Sequence, residues 1–310
     1  MLLCLLLAMG SNRSYGADIA LPELGDGSSG IVSLQQEKEL GVAWLASFRR
    51  QVKTVDDPLL EDYLEDLIYR LVIHSELKER DLQLVVINNP TINAFAVPGG
   101  VIGVHNGLLQ YSQNEDQLAA VLAHELAHLS QRHFARSIEE QRSNSLPMMA
   151  ALLGSLVLLA TSGGDAGIAA LSASQAAAIQ NQLRFSRENE QEADRIGMAT
   201  LAAADMNPEA VADMFEQMLR AYRFAGSRPP EFLMTHPVTE SRIADARGRA
   251  AKYEIPHHND ELEFYLMQAR VRLALESAPA VAVKRFRAEV EKTGLEKNSA
   301  AAQANHYGLG

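Results

Sequence analysis

The sequence predicts an α+β chain dominated by helix, with a small three-stranded sheet before its midpoint and a partial helical repeat at its C-terminal end. Three observations carry that reading. Aromatics are 6% of the 310 residues while Ala recurs throughout, and Ala loses least on entering a helix. Most segments space their apolar residues three and four apart, the helical period. Residues 82–104 instead hold three β-type runs separated by turn residues. The length suits one or two domains with ample core, and 47% apolar with 22% charged residues is ordinary for a globular protein. A net charge of −11 argues against non-specific nucleic-acid binding, so no nucleic-acid partner is expected.

Met1 to Met9 is an apolar run, MLLCLLLAM, too short to span a bilayer. Ser14-x-Gly16 fits the small-x-small pattern of a signal-peptidase site, so residues 1–16 read as a signal peptide, although no Lys or Arg precedes the apolar run. A buried N-terminal helix is the plain alternative. Cleavage would remove Cys4, the one cysteine, which compares poorly with a lipid anchor because most of the apolar run follows it. A cysteine-free mature chain is compatible with an oxidising compartment. Residues 17–32, rich in Gly, Ser and Asp, read as an extended leader.

After Ser33, Leu34, Leu40, Trp44 and Phe48 fall at helical spacing. Asp57-Pro58 starts a second helix, with Asp as N-cap and Pro in the first turn. Leu82–Asn88 is the clearest strand. Asn93–Val97 and Val101–Val104 follow, joined by Pro98-Gly99-Gly100 as a tight turn. The segment Asn93, Ala94, Phe95, Ala96 is either an edge on which an extended peptide could pair or part of an ordinary sheet.

Asn114, with Gln117 as a capping-box partner, opens a helix expected to run from Glu115 to about Glu140. Within it lies His124-Glu125-Leu126-Ala127-His128. Positions i and i+4 share a helix face, so His124 and His128 can offer two imidazoles to one metal ion, with Glu125 beside it as a base for an attacking water. A surface helix with two stray histidines is the bland alternative. His133 is five residues past His128, about 500° around the same helix, so it points away and reads as structural.

Residues 146–160 are strongly apolar, with a Gly-rich stretch behind them. They suit a buried helical hairpin, or a mobile lid or peripheral membrane contact next to the site. A catalytic zinc needs three protein ligands and an open fourth position. The third is expected from Ser186–Gly197, where Glu190 and Asp194 share a helix face. Glu190 suits a ligand, and Asp194 suits a carboxylate that holds a ligand imidazole. Gly197, also on that face, would let this helix approach the motif helix closely. Glu188 and Glu192 fall on other faces and read as solvated.

The His124-Glu125-x-x-His128 helix, the Glu190-x-x-x-Asp194 helix, His236-Pro237, and Asn93–Ala96 with Pro98-Gly99-Gly100 together resemble the zinc metallopeptidases related to the CAAX-prenyl proteases. Residues 33–255 fit, including Arg184-Phe185-Ser186-Arg187, Ser227-Arg228-Pro229-Pro230 and Glu240-Ser241-Arg242. The resemblance implies a zincin-like metallopeptidase over that span, with one Zn2+ per chain on His124, His128 and Glu190. It implies Glu125 as general base, Asp194 as the group orienting a ligand histidine, and Arg242 as the holder of the oxyanion. His236 would be a fourth ligand that keeps the site latent. It further implies a periplasmic protease acting on misassembled outer-membrane β-barrel proteins with the barrel-assembly machinery, or a chaperone or binding module with a latent site. From the residues alone, His236 is a loop histidine and Arg242 a solvated helix residue.

Asn207-Pro208 starts another packing helix, and Thr239 to Ala251 is a further one. From Glu261, two helical runs meet at Ala278-Pro279, and an Ala-rich run follows from Ala300. Residues 260–310 resemble one tetratricopeptide unit and the opening of a second, truncated; a plain helical hairpin is the alternative.

Overall fold

The computed structural model describes residues 32–140, 186–224, 230–254, 261–276, 278–292 and 299–310. The expected signal peptide, nearly all of the leader and the apolar segment 146–160 lie outside the described residues.

Helix α1 (Leu34–Gln51) begins at a capping box: the Ser33 hydroxyl accepts from Gln36 N–H, and Gln36 Oε1 accepts from Ser33 N–H. Helix α2 (Pro58–Val72) starts with Asp57 as N-cap and Pro58 in the first turn, as expected. Strands β1 (Gln83–Ile87), β2 (Ala94–Val97) and β3 (Val101–His105) form one sheet in the order β1-β3-β2. β3 is central, parallel to β1 and antiparallel to β2. The outer side of β1 is met by the segment before α2, where Val55 N–H donates to Val86 O. That leaves β2 as the edge.

Alternation along the strands gives the sheet two apolar faces. Val85, Ile87, Phe95, Val97 and Val101 face α1 with Trp44 and Phe48. Phe95 meets Trp44 and Phe48 edge-on, at 5.7 and 5.9 Å between centroids. Val86, Ala94, Ile102 and Val104 face the main core with α2 and α4 (Glu115–Ser130). The β2–β3 turn takes positive φ at Gly99 (87°) and Gly100 (86°). A Cβ on Gly99 would lie 2.7 Å from Glu37 O, so glycine there both makes the turn and lets α1 rest on it.

His105, at the end of β3, is fully buried, and that burial pushes its imidazole down to about 3. Nδ1 pairs with Thr91 Oγ1 at 2.9 Å, and Glu231 Oε2 is 3.8 Å off, beyond hydrogen-bond range. The folded chain thus keeps His105 neutral while the unfolded chain takes up a proton below about 6.5. Stability from this group is complete above that pH and falls as pH drops toward 3, by up to about 1.4 kcal/mol per pH unit. Chemical denaturation at pH 7 and pH 4.5 should show a smaller loss for His105→Gln than for wild type; equal losses would contradict this.

The other helices among the described residues are α3 (Asn106–Tyr111), α5 (His133–Glu140), α6 (Arg187–Ala203), α7 (Ala210–Phe224), α8 (Glu231–Thr235), α9 (Glu240–Ala250), α10 (Leu262–Leu275), α11 (Pro279–Lys292) and α12 (Ala300–Tyr307). α10 is not detached from what precedes it. Phe264, Met267 and Val271 enter the main core, and the Gln268 amide donates to the carbonyls of Leu109 and Ser112 at the end of α3. α11 and α12 pack on it through Phe286, Ala269 and Ala304.

The long helix expected to about Glu140 is two helices. Arg132 sits at φ 52° and breaks it after Ser130. No Gly or Pro marks the break. The Arg132 guanidinium instead reaches back to the Glu37 carboxylate and to Val32 O, at 3.3 and 2.7 Å.

Candidate metal centre

Asn114 caps α4 as expected, its Oδ1 accepting from Gln117 N–H at 2.9 Å. The Gln117 side chain takes Gln113 N–H rather than closing the box on Asn114. Every residue from Asp116 to His128 is buried, so α4 is a core helix, not an amphipathic surface one. Among the described elements, its most extensive partner is α6. A Cβ on Gly197 would stand 3.0 Å from His124 N and 3.1 Å from Ala123 O, so the missing side chain sets how near the two helices come.

That approach brings His124, His128 and Glu190 together, and His236 joins them from the loop after α8. One ligand atom from each of the four lies within 4.8 Å of all the others, and all four residues are buried. His124 Nε2 is 3.0 Å from His128 Nε2, 3.4 Å from His236 Nδ1 and 3.6 Å from Glu190 Oε2; His128 Nε2 is 3.5 Å from Glu190 Oε1. Tetrahedral zinc with bonds of about 2.0–2.1 Å sets its ligand atoms roughly 3.3–3.4 Å apart. The donor set, three imidazoles and a carboxylate, fits such an ion in both chemistry and spacing.

Glu125 projects beside this group. Its carboxylate accepts a hydrogen bond from Ala96 N–H, and Oε1 lies 3.6 Å from His236 Nε2. Burial pushes the Glu125 carboxyl up, against the pull of His236 and His124. Burial would raise Glu190 too, but His236, His124 and Arg242 outweigh it and hold Glu190 down. His236 is held up by Glu190 and Glu125 in spite of burial, and its Nδ1 is 2.9 Å from Glu190 Oε1. Phe232 stacks on its ring at 4.6 Å. Phe232 N–H donates to Ile92 O, so the His236 loop is fastened to the chain entering β2.

Ala96 N–H can reach Glu125 because of the sheet register. His105 N–H donates to Asn93 O, so Asn93 and Phe95 belong to the hydrogen-bonded pairs with β3. Ala94 and Ala96 therefore turn their N–H and C=O away from β3, Ala94 fully buried and Ala96 half-buried. Of the four residues expected as a substrate strand, Asn93 and Phe95 are committed to β3, Ala94 is fully buried, and Ala96 is half-buried with its N–H on Glu125.

Asp194 Oδ1 lies 3.0 Å from His124 Nδ1. Arg242 clamps Asp194 from behind, with Nε on Oδ2 and Nη2 on Oδ1, both at 2.7 Å. Its Nη1 is 2.8 Å from both Pro237 O and Glu190 Oε2. Arg242 is therefore a buried member of the ligand scaffold, not the solvated helix residue its sequence surroundings suggest.

Two residues read from sequence as structural or solvated lie at this centre. The break at Arg132 swings His133 back, so its Nδ1 is 2.9 Å from His128 Nδ1. Glu192 accepts from His133 Nε2 at 3.0 Å and from Arg136 Nη1 at 2.8 Å. Glu188, by contrast, is exposed as expected.

The family model of peptidase family M48 matches residues 58–250, which hold all four grouped residues together with Glu125, Asp194 and Arg242. The chain belongs to peptidase family M48. The M48 chain is 40% identical to a β-barrel assembly-enhancing protease of Escherichia coli strain K12 over 250 residues, 81% of this chain and 51% of that protein. It is 38% identical to the protein of the same name from Yersinia pestis over 253 residues, 82% of this chain and 51% of that one. With the mitochondrial metalloendopeptidase OMA1 of Schizosaccharomyces pombe it shares 33% identity over 221 residues, 68% of this chain and 60% of that one. The M48 chain thus spans about half the length of the bacterial relatives it matches. Among the described residues, no helix is long and apolar enough to cross a membrane.

Proposed function

We propose that this chain is a zinc-dependent endopeptidase of the periplasm that hydrolyses misassembled outer-membrane β-barrel proteins and assists their assembly alongside the barrel-assembly machinery. The observation that carries the reading is the buried His124–His128–Glu190 group with Glu125 beside it, bonded to the edge strand at Ala96 N–H. The bacterial relatives' names support the substrate class, and the signal peptide expected over residues 1–16 supports the compartment. In this reading residues 33–255 are the peptidase domain and residues 260–310 the opening of a tetratricopeptide-type repeat.

His124, His128 and Glu190 would hold the ion, one per chain. When bound, zinc supplies Lewis acidity at the scissile carbonyl and lowers the pKa of a water at its open position to about 7. An extended substrate would meet β2 at the half-buried Ala96, through its C=O, which places the scissile bond beside Glu125, already bonded to Ala96 N–H. Glu125 takes the proton of the attacking water and passes it to the leaving amine. Asp194 fixes the ring of His124 through Nδ1. Arg242 serves first by holding Asp194 and Glu190; the oxyanion role asks Nη1 to exchange Pro237 O or Glu190 for substrate.

A second reading is a chaperone or binding module with a latent site. His236 favours it, because the ring sits inside the ligand group between Glu190 and Glu125. Metal analysis and peptidase assays on the purified full chain, with an unfolded β-barrel protein as substrate, test both readings. The expected result is one zinc per chain, activity lost on chelation and restored by zinc, and several-fold faster cleavage by His236→Ala. Full activity in metal-free protein would sink the peptidase reading, and an unchanged rate for His236→Ala would sink latency.

A further inference from the structure

An imidazole that ligates a metal is normally held through its second nitrogen, which fixes the ring's tautomer and orientation. For His124 the holder is Asp194, backed by Arg242. For His128 the neighbour of Nδ1 is another imidazole, His133, and the tautomers along that path can be worked out from its metal end.

His128 Nε2 belongs to the ligand group, so it offers a lone pair there and the ring's proton sits on Nδ1. Nδ1–H then donates to His133 Nδ1, 2.9 Å away. His133 can accept at Nδ1 only with its own proton on Nε2, and from there it donates to Glu192 Oε2 at 3.0 Å. Arg136 Nη1 holds the same oxygen from the far side at 2.8 Å. Each link has one donor and one acceptor. The reverse assignment puts a proton on His128 Nε2, 3.5 Å from Glu190 Oε1, and closes the group to a cation.

Two further observations speak for a purpose. His133 is fully buried, whereas a solvated face would have cost nothing in packing. It reaches His128 only because Arg132 adopts a left-handed backbone, which costs a non-glycine residue about 1–2 kcal/mol. Ties from Arg132 to Glu37 and Val32 O hold that conformation. Strain of this kind persists where surrounding contacts over-determine it, often at functional sites.

We propose that His133 is a positioning residue for the metal centre: an imidazole relay, anchored by Glu192 and Arg136, that fixes the tautomer and aim of His128 and so tightens metal binding. The two ligand histidines would then be held by matched arms, Arg242–Asp194 on His124 and Arg136–Glu192–His133 on His128. The proposal rests on the reading of His124, His128 and Glu190 as the zinc ligands.

The test measures zinc affinity of the full chain by competition with a chromophoric chelator. His133→Phe keeps a ring of similar shape without the acceptor and should weaken zinc binding about 10- to 100-fold. His133→Asn places an amide oxygen near the position of Nδ1 and should restore most of the affinity. Glu192→Ala should weaken binding about threefold or more, less than His133→Phe because it acts one link further out. In the cobalt(II)-substituted chain, His133→Phe should shift the visible ligand-field bands. At saturating zinc it should lower kcat with KM unchanged. Wild-type zinc affinity and cobalt spectrum in His133→Phe would overturn the relay, provided His124→Ala and Glu190→Ala lose zinc as the centre requires. Zinc binding intact in those two would overturn the centre and the relay with it. Should His133→Phe not fold, unchanged zinc affinity in Glu192→Ala overturns the relay by itself.

Discussion

Replacing Glu125 with Gln is expected to lower peptide hydrolysis about a thousandfold or more, at the upper part of what a positioned base contributes, while zinc content stays at one per chain. The amide fills the same volume and can still accept from Ala96 N–H. It cannot take a proton, and Glu125 is not among the grouped ligand residues. A thousandfold loss corresponds to about 4 kcal/mol of transition-state stabilisation. In the metal-free chain the same change should not cost stability. Burial raises the Glu125 carboxyl above its ordinary range, so keeping it ionised at neutral pH works against the fold. The sign follows from proton uptake: between the unfolded and the raised folded values the native state binds more protons, so this group's contribution declines as pH rises through that window. With the metal removed, Glu125→Gln should therefore melt at or above the wild-type temperature at pH 7. The measurements are zinc content, kcat/KM on a denatured barrel protein, and thermal denaturation. Loss of zinc would make Glu125 structural, and retained cleavage would place the base elsewhere.

Much of this centre was readable before the fold because its spacings are local. The i,i+4 pair His124 and His128 needs only a helix, and so does the pair Glu190 and Asp194. Gly197 one turn beyond Asp194 signalled close helix packing, and a Cβ there would indeed press on the backbone of His124. Pro98-Gly99-Gly100 between β-type runs is a turn whatever surrounds it, since two of its three residues tolerate positive φ. What escaped depends on distant partners. Arg132 breaks its helix through contacts 95 and 100 residues upstream, and nothing in Ser130-Gln131-Arg132-His133 marks a stop. With the break unseen, His133 falls on the wrong side of an imagined continuous helix. Glu192 suffers the same fate: two residues on from Glu190 is the opposite face of α6, solvated unless another element lies there, and α5 does. The signal that could have exposed both is a third histidine near the motif together with a carboxylate two residues from a proposed ligand, a combination worth testing as a pair rather than residue by residue.

Removing the Arg242 side chain is expected to be the most destabilising single change at the centre. Arg242→Ala leaves the buried carboxylates of Asp194 and Glu190 without their shared counter-charge, and removes a guanidinium lying 4.7 Å over the Phe215 ring. Breaking a buried pair from one side costs about 3–5 kcal/mol, which for a chain of this size lowers the melting temperature by roughly 10 °C. Arg242→Lys should recover only part, because an ammonium cannot bond both oxygens of Asp194 at once. Kinetics at saturating zinc then separate two roles. If Arg242 works by holding Asp194, Asp194→Asn already removes what it contributes, and adding Arg242→Ala to that variant lowers kcat little further. If Arg242 stabilises the oxyanion, the second substitution costs its full share in either background, about 10²–10³ in kcat. A double-mutant cycle on kcat measures the difference directly. The present geometry, with Nε and Nη2 both on Asp194 and Nη1 shared between Pro237 O and Glu190, predicts strong coupling, and additive losses would return Arg242 to the oxyanion.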